Sequence, residues 1–255
     1  MTEASPAEAR ASAGAAAERL GVRVERLHDL GEQSAAVDLL CRIWRATPDQ
    51  VLNVNTVRAL AYSGNYVVGA YRGGLLVGTA VGFLGEGHLH SHITGVAPGQ
   101  QGVGVGFALK QDQRAWCLEH GIDTVRWTFD PLVRRNAYFN LQKLAGTAEA
   151  YLPDFYGPMT DGVNAGDASD RIYLRWDLAT PAAVTAAAGT PVEVSRGLET
   201  LAVEVPEDIE ELRERDRAAA NRWRYAVREA MIGALDDGYR ITGITRDGYY
   251  LLERG

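Results

Sequence analysis

The sequence predicts an α/β protein, a mixed sheet flanked by helices with a smaller α+β unit behind it. Three observations predict this. Two apolar runs in "NYVVGAYRGGLLVGTAVGFLG" meet at Arg72, Gly73 and Gly74, the pattern of a β-hairpin closed by a glycine turn. Between residues 87 and 130 a strand, a glycine-rich turn, a helix and a second strand follow one another, the order of a right-handed parallel crossover. Past Leu178 the composition changes to "ATPAAVTAAAGTP", a stretch of the kind that links folded units.

Taken in order, residues 1–19 are Ala-rich without apolar periodicity and read as a flexible lead-in, either a frayed helix or a disordered segment. "VRVERL" (22–27) alternates as a strand, and 31–46 place Val37, Leu40, Cys41 and Trp44 on one helical stripe. A short helix is expected over 54–62, then the hairpin. From Gly87 to Val96 strict alternation puts His88, His90, His92 and Thr94 on one face and Leu89, Ser91, Ile93 and Gly95 on the other. Val105, Ala108, Leu109, Asp112, Ala115 and Trp116 mark a helix that stops at Gly121. "TVRWTFD" (124–130) is the next strand, 131–146 a helix, and 149–152 and 171–176 strands. The main domain is expected over 20–178, a linker over 179–192, and a C-terminal unit over 193–255 that packs on the first. In that unit Trp223, Val227, Ala230, Met231 and Ala234 define a long helix, and a hairpin turns at Asp247-Gly248.

With 255 residues, 46% of them apolar, the chain can fill a sizeable core. Its formal net charge of −7 argues against a nucleic-acid partner, which would demand a basic surface. Cys41 and Cys117 sit in helical patterns and suit free thiols in a reducing compartment. No secretory signal or membrane-length apolar run is present, so the expected location is the cytoplasm.

The chemistry concentrates in "HSHITGVAPGQQGVGVGFALK". A helix start exposes unpaired amides and partial positive charge, and glycines clear the approach of a phosphate. The same glycines also suit a tight strand-to-helix turn with no ligand. A row of imidazoles before that turn admits three readings: a base titrating near neutrality, a zinc site, or hydrogen-bonded side chains without chemistry. Glu86 is a rival base. Arg134 and Arg135 could meet an anion or merely open a helix; Trp127, Phe129 and Tyr156 could line a pocket or fill a core.

Val96, Pro98, Gln101, Gly104 and Gly106 together resemble the signature of the GNAT superfamily of acyl-CoA-dependent N-acyltransferases, over roughly residues 20–178. The resemblance implies a mostly antiparallel sheet flanked by helices, with acetyl-CoA or another acyl-CoA as co-substrate and no metal. It implies that the amides of Gly102, Val103, Gly104, Val105 and Gly106 hold the coenzyme diphosphate beside Gln101. The pantetheine arm would lie along Thr94 to Val96, and the helix at Asn136 would close the far side. "HSHITGV" is similar to the strand of arylalkylamine N-acetyltransferases, which assigns His90 and His92 to proton removal. The family's helical tyrosine, which protonates the departing thiolate, falls on Leu141, leaving Tyr138, Tyr151, Tyr156 or water for that role. The implied acceptor is a small amine or amino acid, and the acyl group acetyl, succinyl or longer. A homodimer is compatible with the pattern, as is a non-catalytic acyl-CoA sensor.

Overall fold

A computed structural model describes residues 4–163 and 166–255. In chain order its elements are α1 (Pro6–Arg19), β1 (Arg23–Arg26), α2 (Leu30–Trp44), α3 (Pro48–Val51), α4 (Val54–Tyr62), β2 (Tyr66–Arg72), β3 (Leu75–Gly85), β4 (His88–Val96), α5 (Val105–Glu119) and β5 (Thr124–Phe129). There follow α6 (Arg134–Tyr138) with a π-helical turn (Phe139–Lys143), β6 (Thr147–Leu152), β7 (Arg171–Asp177), α7 (Pro181–Ala187), β8 (Leu201–Glu204), α8 (Ile209–Arg215), α9 (Arg217–Asp236), β9 (Tyr239–Ile244) and β10 (Tyr249–Arg254). Seven strands hydrogen-bond in the order β1-β2-β3-β4-β5-β7-β6, and β8-β10-β9 form a second sheet. Strands β1 to β4 pair antiparallel, β4 and β5 parallel, and β6 and β7 antiparallel.

The chain forms two compact units with the cut inside β5. One holds the described residues up to Arg126 with Asp161–Val163 and Asp177–Ala188; the other holds Trp127–Thr160, residues 166–176 and Gly189–Gly255. The span 20–178 is therefore shared between the units, and 193–255 belong to the same unit as 127–160. The stretch 179–192 contains α7, capped by Thr180 and burying Ala183, Ala186 and Ala187.

In the first unit α2 and α5 lie on opposite faces of the sheet. A methyl on Gly95 would run into Ile43, Leu40 and Trp44 of α2, whereas one on Gly78 would meet Val105 and Leu109 of α5. Gly95 pairs with Thr79, the residue after Gly78, so the two faces are fixed by strand alternation. Leu27, Ala36, Val37, Val57, Val67 and Val81 fill the α2 side. Of the two readings of the lead-in the helical one holds, and the helix, α1, is capped and packed rather than frayed. Ser5 and Glu8 form a reciprocal capping box, and Ala9, Ala13 and Ala16 are buried at helical spacing. Ala9 and Ala13 pack on Ala115 of α5, while Arg10 bonds Asp112 and Glu119. Alanine supplied a narrow stripe where larger apolar residues would crowd two close helices.

In the second unit the stripe expected on α9 shifts: Ala220, Arg224, Val227, Met231 and Ala234 are buried and Ala230 is exposed. Arg224 occupies the interior because it bonds both Asp130 and Asp167, which Arg213 of α8 bonds as well. Burial alone would raise the Asp130 carboxyl, but Arg224 and Arg213 hold it well below the usual range. Asp170 accepts from Tyr151 Oη at 2.6 Å and from Arg228. The helix expected over 131–146 is shorter, and changes to π geometry before ending at Lys143, two residues ahead of Ala145. That residue has φ +59°, the left-handed conformation that favours glycine. Ala145→Gly should raise stability by about 0.5–1 kcal/mol, read as an increase in the urea midpoint; no increase would mean the neighbouring Gly146 already relieves the strain.

Candidate active site

Strand β4 carries the candidate site. Its parallel rungs to β5 join Leu89 to Val125 and His90 to Arg126; among the described residues, the rungs from Ser91 onward run to β3 alone. One edge of this strand is thus left to offer backbone amides and carbonyls to another chain or ligand. The β3 ladder shifts between Val81 and Gly82, so that Gly82 opposes Ser91, Val81 opposes Ile93, and His92 is the extra residue of a bulge. A methyl on Gly82 would stand 3.0 Å from the His90 carbonyl oxygen, so glycine there makes room for the bend.

The bulge corrects the alternation expected from sequence. Leu89 and Ser91 face α5, but Ile93 joins the core on the α2 side, where Gly95 also lies. Val96 faces the other way, 3.8 Å from where a Gly106 methyl would sit. Thr94, two residues before it, shares that face. The histidines and Thr94 therefore do not line one face. His90 and His92 instead converge around Phe83, their ring centroids 4.9 and 5.6 Å from its ring and 6.0 Å from each other. His88 is tied by Nδ1 to the Glu86 carbonyl.

Burial, with His92, His88 and Lys110 nearby, pushes the His90 imidazole down to about 4. Burial also lowers His92, although part of that residue reaches solvent. In both rings the shift favours the neutral form, which has a lone pair available. On the opposite face Lys110 is 5% exposed and donates to Ser91 Oγ at 2.8 Å and Gln113 Oε1 at 3.0 Å; burial brings its ammonium down to about 7. Cys117 is buried and its thiol is pushed up by desolvation, the opposite of what a nucleophile needs. Among the described residues no group of three or more His, Cys, Asp or Glu is arranged to hold a metal ion. Among them, too, no helix is long and apolar enough to cross a membrane.

Beyond Val96 the chain turns through Pro98 and Gly99 into α5. Gly102 and Gly104 have φ of +77° and +91°, which a side chain would strain. Gly104 is the N-cap and provides no side-chain cap. The first turn-spanning bond runs from Ala108 N to Gly104 O, so the amides of Val105, Gly106 and Phe107 precede it. Gln101, Gly102 and Val103 are exposed, and nothing stands within 4 Å of a methyl built on Gly102. The Val105 side chain is core, so only its backbone is available to a ligand. This is an open, uncapped helix start, chemically fitted to an anion.

Asn136 lies in the second unit, exposed in the short α6. Leu141 is buried in the π-helical turn. Of the three tyrosines, Tyr151 is committed to Asp170, and burial drives its hydroxyl away from ionisation. Tyr138 accepts from Arg246, and Tyr156 shares a hydrogen bond with Thr128 at 3.0 Å. Arg134 bonds the Arg246 carbonyl and Arg135 pairs with Glu210, so both have protein partners. Trp127 and Phe129 are core. Phe83 and Lys110 went unread in the sequence, and Ser91 was read only as part of the strand's other face. Phe83 was within reach of the hairpin register, since it opposes His90, whereas Lys110 was hidden because α5 is covered on more than one side.

The fold is shared with N-acetyltransferases of known structure. The ribosomal-protein-S18-alanine N-acetyltransferase of Escherichia coli shares it at a TM-score of 0.51 and 14% identity, over 62% of this chain and 95% of that one. An N-acetyltransferase of Staphylococcus aureus Mu50 superposes at 0.50 with 11% identity, over 62% and 98%. A Salmonella typhimurium protein assigned as an acetyltransferase, solved with its cofactor acetyl-CoA, superposes at 0.50 with 15% identity, over 64% and 96%. At such identities the fold is what is shared. No protein-family model matches the sequence, and no curated protein matches it significantly.

Proposed function

We propose that this protein is an acyl-CoA-dependent N-acyltransferase that moves an acetyl or related acyl group onto a small amine or amino acid in a ternary complex. One observation carries the reading: a strand that, among the described residues, pairs only with β3 from Ser91 onward, and that bears two imidazoles packed on Phe83, runs directly into an uncapped, glycine-cleared helix start. When bound, the coenzyme supplies the activated thioester. The amides from Gly102 to Gly106 with Gln101 would hold its diphosphate, the β4 backbone at Thr94 to Val96 its pantetheine arm, and Asn136 is assigned to it by resemblance. A backbone amide near Thr94 would stabilise charge on the acyl oxygen as the amine attacks. His90 and His92 would take the amine's proton, directly or through ordered water. Leaving-group protonation falls to Tyr138, Tyr156 or water.

Incubating the full chain with acetyl-CoA and a panel of small amines, with free thiol as readout, should show amine-dependent release of CoA. Stoichiometric binding of acetyl-CoA with no release across the panel would favour the second reading, a non-catalytic acyl-CoA sensor, for which the buried Leu141 in place of the family's tyrosine speaks.

A further inference from the structure

We propose that Lys110 is a positioning residue: donating from within α5 to Ser91, it pins the bulge in β4 and so sets where His92 projects. The inference rests on the transferase reading of this site.

Ser91 is the last residue in register before the bulge, and His92 is the residue the bulge inserts. A bulge left to itself can slide along a strand, and a one-residue slip would exchange the faces of His90, Ser91 and His92. Downstream, Ile93 is held in the core and Gly95 lies against α2, which fixes the strand after the bulge. Upstream, Leu89 is fully buried on the α5 side, and the side-chain hydrogen bond of Ser91 is the one to Lys110. Lys110 is itself braced by Gln113 one helical turn on. Burying an ammonium at 5% exposure is costly, and an apolar residue would fill the same space without that cost. What an apolar residue could not do is hold the Ser91 hydroxyl. Since α5 also begins at the uncapped glycine turn, one side chain ties the anion-binding helix to the histidine-bearing strand.

The test is Lys110→Met in the full chain, with Ser91→Ala as the variant that removes the acceptor while sparing the helix. In both, kcat for acetyl transfer should fall about tenfold or more with KM for acetyl-CoA within twofold, because a misplaced catalytic group slows chemistry without touching the coenzyme grip. The double variant should be no worse than either single one, and Ser91→Thr, which keeps the hydroxyl, should stay near native. The Cε1 proton resonance of His92 should move in both variants while those of His28 and His120 stay in place. A folded Lys110→Met, or Ser91→Ala if the former does not fold, with native His92 resonance and native kcat overturns the proposal. Because the resonance needs no turnover, it decides the pinning even if the chain transfers no acyl group.

Discussion

Replacing Arg224 with methionine should cost about 3–5 kcal/mol, a large part of what holds a domain of this kind folded. Arg224 is fully buried and donates to both Asp130 and Asp167; without it two interior carboxylates must share Arg213. Methionine fills much of the volume, so the loss reports unpaired charge rather than a cavity. The sign of the pH dependence follows from Asp130, whose carboxyl is held below its unfolded range. Its stabilisation is complete above about pH 4 and is lost as pH falls toward the folded value, so the deficit of the variant should shrink in acid. Urea unfolding at pH 7 and pH 3 measures both effects. Arg135→Ala, which removes the more exposed pair to Glu210, should change stability by less than about 1 kcal/mol. A comparably small change in Arg224→Met would mean the network is incidental to the fold.

The second large effect is catalytic. The double variant His90→Ala, His92→Ala should lower kcat by roughly 10²–10⁴-fold with little change in KM for acetyl-CoA, the range general-base removal produces. His90 is held near 4 and His92 is also lowered, so the native rate should stay level down to about pH 6 and decline only in more acidic solution. Protonation removes the lone pair, so the acidic limb belongs to these rings and should vanish from the residual activity of the variant. Turnover within threefold of native, or an acidic limb left in place, would transfer the role to another group, with Glu86 the first to test.

How far residues alone led is clearest at particular positions. The hairpin at Gly73-Gly74, the strand entering the glycine turn and helix α5 were legible because period and turn chemistry agree there. The bulge at His92 was not, since alternation carries no mark of one inserted residue; it depends on Gly82 across the ladder and on Lys110 beneath. Helix α1 was legible only as a frayed alternative because its stripe is alanine, although Ser5 and Glu8 spelled its cap. Arg224 was passed over for its apolar neighbours because a charged residue enters a core only with partners, here Asp130 and Asp167, far away in sequence. The division of the chain inside β5 had no local signal either, for "TVRWTF" reads as one uninterrupted strand.

The most direct measurement is a calorimetric titration of acetyl-CoA into the native chain, Gly102→Asn and Gly102→Asp. Gly102 has φ +77° and open space around it, and Asn and Asp both tolerate that conformation, so the two variants differ chiefly by one negative charge at the helix start. The expected result is saturable one-to-one binding, nearly preserved in the Asn variant and weakened about tenfold in the Asp variant, the size of about 1.4 kcal/mol of repulsion. Absence of saturable binding to the native chain, or binding indifferent to the carboxylate, would contradict the assignment of this glycine turn to the coenzyme diphosphate.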